Sequence, residues 1–456
     1  MKKIIFLFAL VGLIAACGTQ TQQEISKLQR PVSEVPIPDW SHNAVIYEVN
    51  VRQYTPEGTF EAFAAHLPRL KELGVDFLWF MPIHPIGEKE RKGTLGSYYS
   101  IKDYKGVNPE FGTFEDFKAI VNQAHELGMK VFLDWVANHS AWDHPWVEKH
   151  PEWYDRDSLG NMFAPYDWTD VAQLDYNNHE MRAAMIDALE FWVREANIDG
   201  YRCDVAGLVP VDFWEDARMA LDNIKPVYLL AEDEDETALL NKAFNSNYGW
   251  SFHHIMNAVA AGEQNVTDVV EYFENLYETY PLGTYPMHFI TNHDENSWAS
   301  TEFERMGDAV KTFATLTFAI EGMPLIYTGQ EVGMDHMLEF FEKDEVDWSD
   351  PMNMTPFYQS LIRLKKENRA LWNGKAGGEM TIIATEYPEE IFLFKREKDN
   401  NKVVALFNLS PQEIVMDASV GISGEYQEYF SKKSMTLPFE SLTLNPWDYK
   451  IITINE

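Results

Sequence analysis

One phrase recurs along this chain: apolar residues at helical spacing, a short stop, then an apolar run too short to be a helix. Phe60, Phe63, Ala64, Leu67 and Leu70 mark the first helical face, Gly74 ends it, and residues 75–80 (VDFLWF) read as a buried strand. Thr113 stands at the next N-cap, Phe114, Phe117, Ile120, Val121 and Leu127 form the second face, Gly128 stops it, and residues 129–134 (MKVFLD) follow. Met185, Ile186, Leu189 and Trp192 repeat the pattern before residues 198–204 (IDGYRCD). VYLLAE, PMHFIT and GMPLIY continue the series, AVIYEVN precedes the first helix, and a looser candidate between Ala243 and Val259 brings the strands to eight. Strands separated by helices run parallel with crossover connections. Eight of them over roughly 330 residues predict a closed (β/α)8 barrel, a TIM barrel, and no Gly-rich phosphate loop follows the first strand to favour an open sheet.

The remaining segments differ in texture. From about residue 376 to 456 the runs TIIATEY, EIFLFKRE, KVVALFNLS and YKIITIN alternate without helical faces, which predicts a C-terminal antiparallel β domain, sandwich-like. Within the barrel, 39–375, residues 140–174 form the longest insertion after a strand and carry Trp142, Trp146, Trp153, Tyr154, Tyr166 and Trp168. A loop of that length in a barrel is usually functional, and rings left partly exposed suit stacking on sugar faces. At the other end, Lys2 and Lys3 precede a short apolar run from Ile4 to Ala16, right for a secretory signal and too short for a membrane span. Ile14, Ala15, Ala16 and Cys17 resemble a bacterial lipobox, which implies cleavage before Cys17, its lipidation, and a polar tether over residues 18–38. The chain is then expected to be exported and lipid-anchored in the cell envelope, and with Cys203 the sole other cysteine no intrachain disulfide is available.

Chemistry-bearing residues gather where predicted strands run out. DWVANH (134–139), GYRCD (200–204), Ala231 with Glu232, and NHD (292–294) place acids, histidines and an arginine at the same end of successive parallel strands. Arg202 and Asp204 lie two apart and point the same way, and a guanidinium favours the ionised carboxylate that a nucleophile needs. Neighbouring strands stand about 4.8 Å apart, so Asp204 and Glu232 can approach the roughly 5.5 Å of a retaining glycosidase. Asp294, beside His293, closes the seventh strand and His139 follows the third. Any one of these acids could be a helix cap; together they point to a sugar-cleaving site.

In these motifs the chain resembles glycoside hydrolase family 13, the α-amylase family. DWVANH, GYRCD, LLAE and FITNHD are similar to four regions of that family, and GSYYSIKDY (96–104), LDY (174–176) and GMPLIYTGQE (322–331) add further matches. The resemblance covers about residues 40 to 375. It implies Asp204 as nucleophile, Glu232 as general acid/base and Asp294 as transition-state stabiliser, with Arg202, His139 and His293 contacting the sugar and Tyr99 stacking beneath it. It also implies a retaining hydrolase of α-1,4-linked glucans or maltooligosaccharides, with no cofactor required for the chemistry. Asn138 matches a calcium-binding position of many relatives, so a structural calcium enters as an expectation. Against it, Gly207 and Leu208 stand where many α-amylases carry a Lys-His pair, and no Asp-rich loop follows the first strand.

Two other readings use the same residues. A transglycosylase or isomerase of the family would share the covalent intermediate and exclude water; a non-catalytic, lipid-anchored sugar-binding protein would be expected to have lost one of the three acids, and all are present. A formal net charge of -35 argues against a nucleic-acid partner, because binding phosphates requires a concentrated basic surface.

Overall fold

In chain order the first ten strands are β1 (Ile46–Val49), β2 (Phe77–Phe80), β3 (Lys130–Trp135), β4 (His139–Ala141), β5 (Val171–Gln173), β6 (Gly200–Cys203), β7 (Tyr228–Ala231), β8 (Ser246–Tyr248), β9 (Tyr285–His288) and β10 (Met323–Tyr327) in a computed structural model that describes residues 30–455. All but β4 and β5 are parallel staves of one closed barrel, ordered β1-β10-β9-β8-β7-β6-β3-β2 around the ring. The two exceptions form an antiparallel hairpin that frames the insertion after β3, with His139 opposite Gln173.

Alternation along each strand sorts the side chains. Ile46, Phe77, Trp79, Phe132, Tyr228 and Leu230 fill the barrel interior, while Tyr47, Leu78, Phe80, Leu133, Tyr201 and Cys203 join the core between strands and helices. Two residues further along three of these rows, apolar gives way to charge: Ile46 to Glu48, Phe132 to Asp134, Leu230 to Glu232. Gly200 heads the row that leads to Arg202 and Asp204, and it must be glycine. A Cβ there would stand 2.0 Å from the Tyr228 carbonyl oxygen and 3.1 Å from the Phe132 ring, in the gap where those two rings stack at 5.5 Å.

Several local expectations are corrected. The first helical face is split into Phe60–Ala64 and Leu67–Leu73, because Pro68 has no N–H to continue the ladder and its ring clashes with the carbonyl one turn back. Gly74 ends the second piece at φ +105°, and Thr113 caps its helix in a reciprocal box with Asp116. β9 stops at His288, so Asp294 does not close the strand but sits six residues beyond it, at the start of a short π-helical turn. Arg30 to Pro38, the expected end of the tether, is held on the barrel: the Ser33 amide donates to Leu282 O at 3.2 Å and Asn245 Nδ2 to Pro36 O at 2.9 Å. Leu282 and Asn245 precede β9 and β8, which puts this segment on the lower rim, beside Trp40 whose ring closes the barrel floor against Phe77 at 5.0 Å. Cys17 and the rest of the tether lie outside the described residues.

The C-terminal region is antiparallel. Met380–Ile382, Ile391–Lys398, Asn401–Asn408 and Tyr449–Asn455 form a four-stranded sheet. One face, with Leu393, Val404 and Ile452, packs on Met416, Phe439 and Leu444 of a second layer; the other, with Phe392, Ala405 and Phe407, joins the barrel's core. Buried Arg396 pins the junction by donating to Ile320 O at 2.6 Å, Trp372 O at 2.9 Å and Gly378 O at 2.9 Å. No helix among the described residues is long and apolar enough to cross a membrane.

Candidate active site

Arg202 organises the mouth of the barrel. Its guanidinium, fully buried, meets Asp134 Oδ1 at 2.8 Å and Asp204 Oδ1 at 3.0 Å through Nη1, and its Nη2 lies 2.7 Å from Glu232 Oε1 outside hydrogen-bond alignment. The Nε donates to the Tyr248 hydroxyl at 3.1 Å. One planar cation thus holds the carboxyls of Asp204 and Glu232 side by side at the ends of adjacent strands. The other oxygen of Glu232 accepts from the Val205 amide at 2.8 Å. Val205 makes that bond from a left-handed conformation, φ +38°, which a β-branched residue rarely adopts.

Above Arg202 lies a cavity of about 520 Å³ lined by Tyr99, His139, Asp204, Glu232, His293 and Asp294. Six of the residues singled out from sequence therefore share one hollow. Arg202 does not line it; it lies beneath, and its contact is with the carboxylates. The Tyr99 ring stacks on His293 at 5.4 Å, its hydroxyl bonded to Asp134 Oδ2 at 3.0 Å and to His293 Nε2 at 2.7 Å. His293 Nδ1 meets Glu48 Oε1 at 2.5 Å, and its Nε2 lies 3.3 Å from Asp294 Oδ2. His139 packs against Trp168 of the insertion, ring centres 5.3 Å apart.

Burial and charge separate the acids. Burial pushes Glu232 up to about 8, opposed by Arg202 and reinforced by the negative charges of Asp204 and Asp294. Burial also raises Asp204, with Arg202 opposing, but only to about 6. At neutral pH Glu232 keeps its proton and Asp204 is an anion, the division of labour a double displacement needs. The cause differs from the sequence expectation: desolvation leads in both groups, and Arg202 limits the rise. His293 loses to burial but gains more from Asp294 and Glu48, ending at about 9 and hence positively charged. His139, whose burial outweighs all else, drops to about 3 and is a neutral imidazole.

Asn138 is engaged elsewhere than the calcium expectation placed it. Gln173 Nε2 donates to Asn138 Oδ1 at 2.9 Å, to Asn138 O at 3.1 Å and to Leu174 O at 3.4 Å. Three oxygens of the kind a hard cation seeks converge instead on an amide nitrogen, so these residues do not fit a calcium ion. Among the described residues, no group of three His, Cys, Asp or Glu side chains is placed to hold a metal.

Other site residues were not singled out beforehand. Asp134 stood within DWVANH without a role; it accepts from Trp79 Nε1 at 3.1 Å as well as from Arg202 and Tyr99. Glu48 had a legible signal, an acid on the inward face of the apolar run AVIYEVN. Trp298, on the short π-helical turn after Asp294, and Phe340 and Phe341, in the loop after β10, complete the cavity's rim and had none, since neither segment is periodic.

A closed parallel barrel whose mouth gathers two carboxyls held on one guanidinium and a third from the loop after β9 in a single hollow is a glycosidase scaffold. Comparison with known proteins agrees: the description "Alpha amylase, catalytic domain" matches residues 40–158 and 150–381. The chain belongs to the α-amylase family, and it is a glycosidase of that type. The crystal structure of an α-amylase from Lactobacillus plantarum is 33% identical, superposes with a TM-score of 0.81, and covers 91% of this chain and 99% of that one. A noncanonic maltogenic α-amylase from Thermotoga neapolitana is 30% identical with a TM-score of 0.80, covering 91% and 96%. Alpha-amylase 3 of Dictyoglomus thermophilum is 26% identical over 443 residues, 81% of this chain and 85% of that protein.

Proposed function

We propose that the protein hydrolyses α-1,4-linked glucans or maltooligosaccharides with retention of configuration. The observation that carries this reading is the pairing of Asp204 and Glu232 on one guanidinium at the mouth of one hollow, where burial raises Glu232 further than Asp204. In the first step an Asp204 oxygen bonds to the anomeric carbon as the bond to the leaving oxygen breaks, and Glu232 gives that oxygen its proton. In the second, Glu232, now anionic, takes a proton from water, whose oxygen displaces Asp204 from the anomeric carbon. Asp294, which lines the same hollow, supports the positive charge that develops on the sugar. Tyr99 offers a ring face to the sugar, and His139 and charged His293 offer hydrogen bonds to its hydroxyls.

The same proposal places the enzyme in the cell envelope, exported and tied to a membrane through lipid on Cys17; the signal-like run before that cysteine supports it. The mechanism is tested by following product anomers by NMR during turnover of maltoheptaose. Retention is expected as the first-formed product, and inverted product overturns the assignment of Asp204 as nucleophile.

A further inference from the structure

We propose that two loops wall off the cleft on the side away from Glu232, so that the site accepts only the non-reducing ends of glucan chains. This rests on the hydrolase reading above, because Glu232 marks the leaving-group side. Glu232 follows β7; in the ring order, β1 lies diametrically across from β7, with β2 and β10 on either side of it. The loops that follow β2 and β10 therefore rise where the non-leaving part of the substrate must lie.

These two loops are stitched together. The Leu95 amide donates to Phe341 O at 3.0 Å and the Thr94 amide to Glu342 Oε1 at 2.8 Å. Gly93, at φ +62°, lets the backbones approach this closely, since a Cβ there would stand 2.4 Å from that of Phe341. From below, the fully buried Arg52 guanidinium donates to Gly96 O and to Phe340 O, each at 3.3 Å, and is itself fixed by Glu110 at 2.8 and 3.1 Å. Gln53 adds three bonds to the second loop: its Nε2 donates to Glu339 O at 3.0 Å and Glu342 O at 2.9 Å, and its Oε1 accepts from the Asp344 amide at 2.6 Å. A buried cation with this many carbonyl partners makes a fixed wall and not a swinging lid.

The wall is continued to the insertion by Lys92, whose Nζ lies 3.3 Å from Asp170 Oδ1 and which lines the cavity. Its inner surface is aromatic. Tyr99 and Phe340 lie parallel at 6.2 Å, and Trp298 leans on Phe340 at 5.2 Å with 57% of its surface exposed. A sugar seated on Asp204 meets rings and the Lys92–Asp170 bridge in the direction in which an interior segment of a polymer would have to continue. A chain end stops there without a clash.

The test compares maltoheptaose with maltoheptaose whose non-reducing terminal glucose carries a bulky 4,6-benzylidene acetal, both on the wild-type enzyme. The wall predicts that blocked substrate is cleaved about 100-fold or more slowly than free substrate. It also predicts that Lys92→Ala combined with Phe341→Ala narrows that ratio about tenfold, with an unchanged circular dichroism spectrum reporting an intact fold. Equal cleavage of both substrates by wild type, or a ratio the double variant leaves unchanged, overturns the wall and leaves the hydrolase reading standing. Failure to cleave either substrate overturns the hydrolase reading, and the wall with it.

Discussion

Glu232→Gln is expected to abolish turnover and stabilise the fold at the same time. Glutamine has the shape and charge of the protonated acid and keeps its oxygen on the Val205 amide, with its nitrogen replacing Oε1 beside Arg202 as the acid's O–H would, so at pH 7, where the folded carboxyl with its value of about 8 holds its proton, the charge of the native site is unchanged. The unfolded chain is altered, because a carboxyl near the ordinary 4.5 is ionised at pH 7 and glutamine is not. For an acid raised on folding, the native state binds the extra proton between those two values, so wild-type stability falls as pH climbs through that window and levels off above it. At pH 7 the difference spans about 2.5 pH units at about 1.4 kcal/mol each, or about 3 kcal/mol, and at pH 9 it approaches about 5 kcal/mol. A chain of this length has an unfolding entropy that converts each kcal/mol into on the order of 1 °C of Tm. Calorimetry should therefore find variant and wild type alike at pH 4, the variant about 3 °C higher at pH 7, and the gap wider at pH 9. In parallel, kcat on maltoheptaose should drop about 1000-fold. A variant that melts at or below wild type at pH 7, or an offset that does not grow with pH, refutes the account of Glu232 as an acid kept neutral by its surroundings.

The pH profile of kcat/KM for wild type should be bell-shaped, its acid limb set by protonation of Asp204 at about 6 and its alkaline limb by loss of the Glu232 proton at about 8; a profile flat from pH 5 to 9 contradicts both assignments. Because Gln173 Nε2 occupies the centre of the oxygens around Asn138, chelators should leave wild-type Tm unchanged, whereas Gln173→Glu should lower Tm in chelator and regain at least about 2 kcal/mol with millimolar calcium. Thermal shifts with and without the metal check this, and a wild-type Tm that falls on chelation contradicts it.

The barrel was legible because each of its staves but one is an apolar run closed by a turn signal. The exception, β8, has the sequence SNY, short and polar, and only the need for an eighth strand located it. The split of the first helix was written in Pro68, but the apolar spacing of Phe60 to Leu70 runs across it undisturbed. Asp204 and Glu232 were readable since each continues an inward row by two residues; Asp294 was readable only by motif, because its loop has left the strand six residues earlier. The pair Glu48 and His293 was hidden by distance along the chain: two residues 245 apart meet because β1 and β9 both flank β10 in the closed ring. The loop rim of Phe340 and Phe341 depends on hydrogen bonds from Arg52 and Gln53, and no local pattern encodes such a junction.

The lower-rim docking of Arg30 to Pro38 fixes which way the molecule looks. The chain enters on the floor, beside Trp40, and the acids open at the opposite pole. A support that grips the amino end, a lipid on Cys17 as proposed or a bead in the laboratory, pulls on the pole opposite the hollow. Long polysaccharides then need not thread between enzyme and surface to be bitten at their tips.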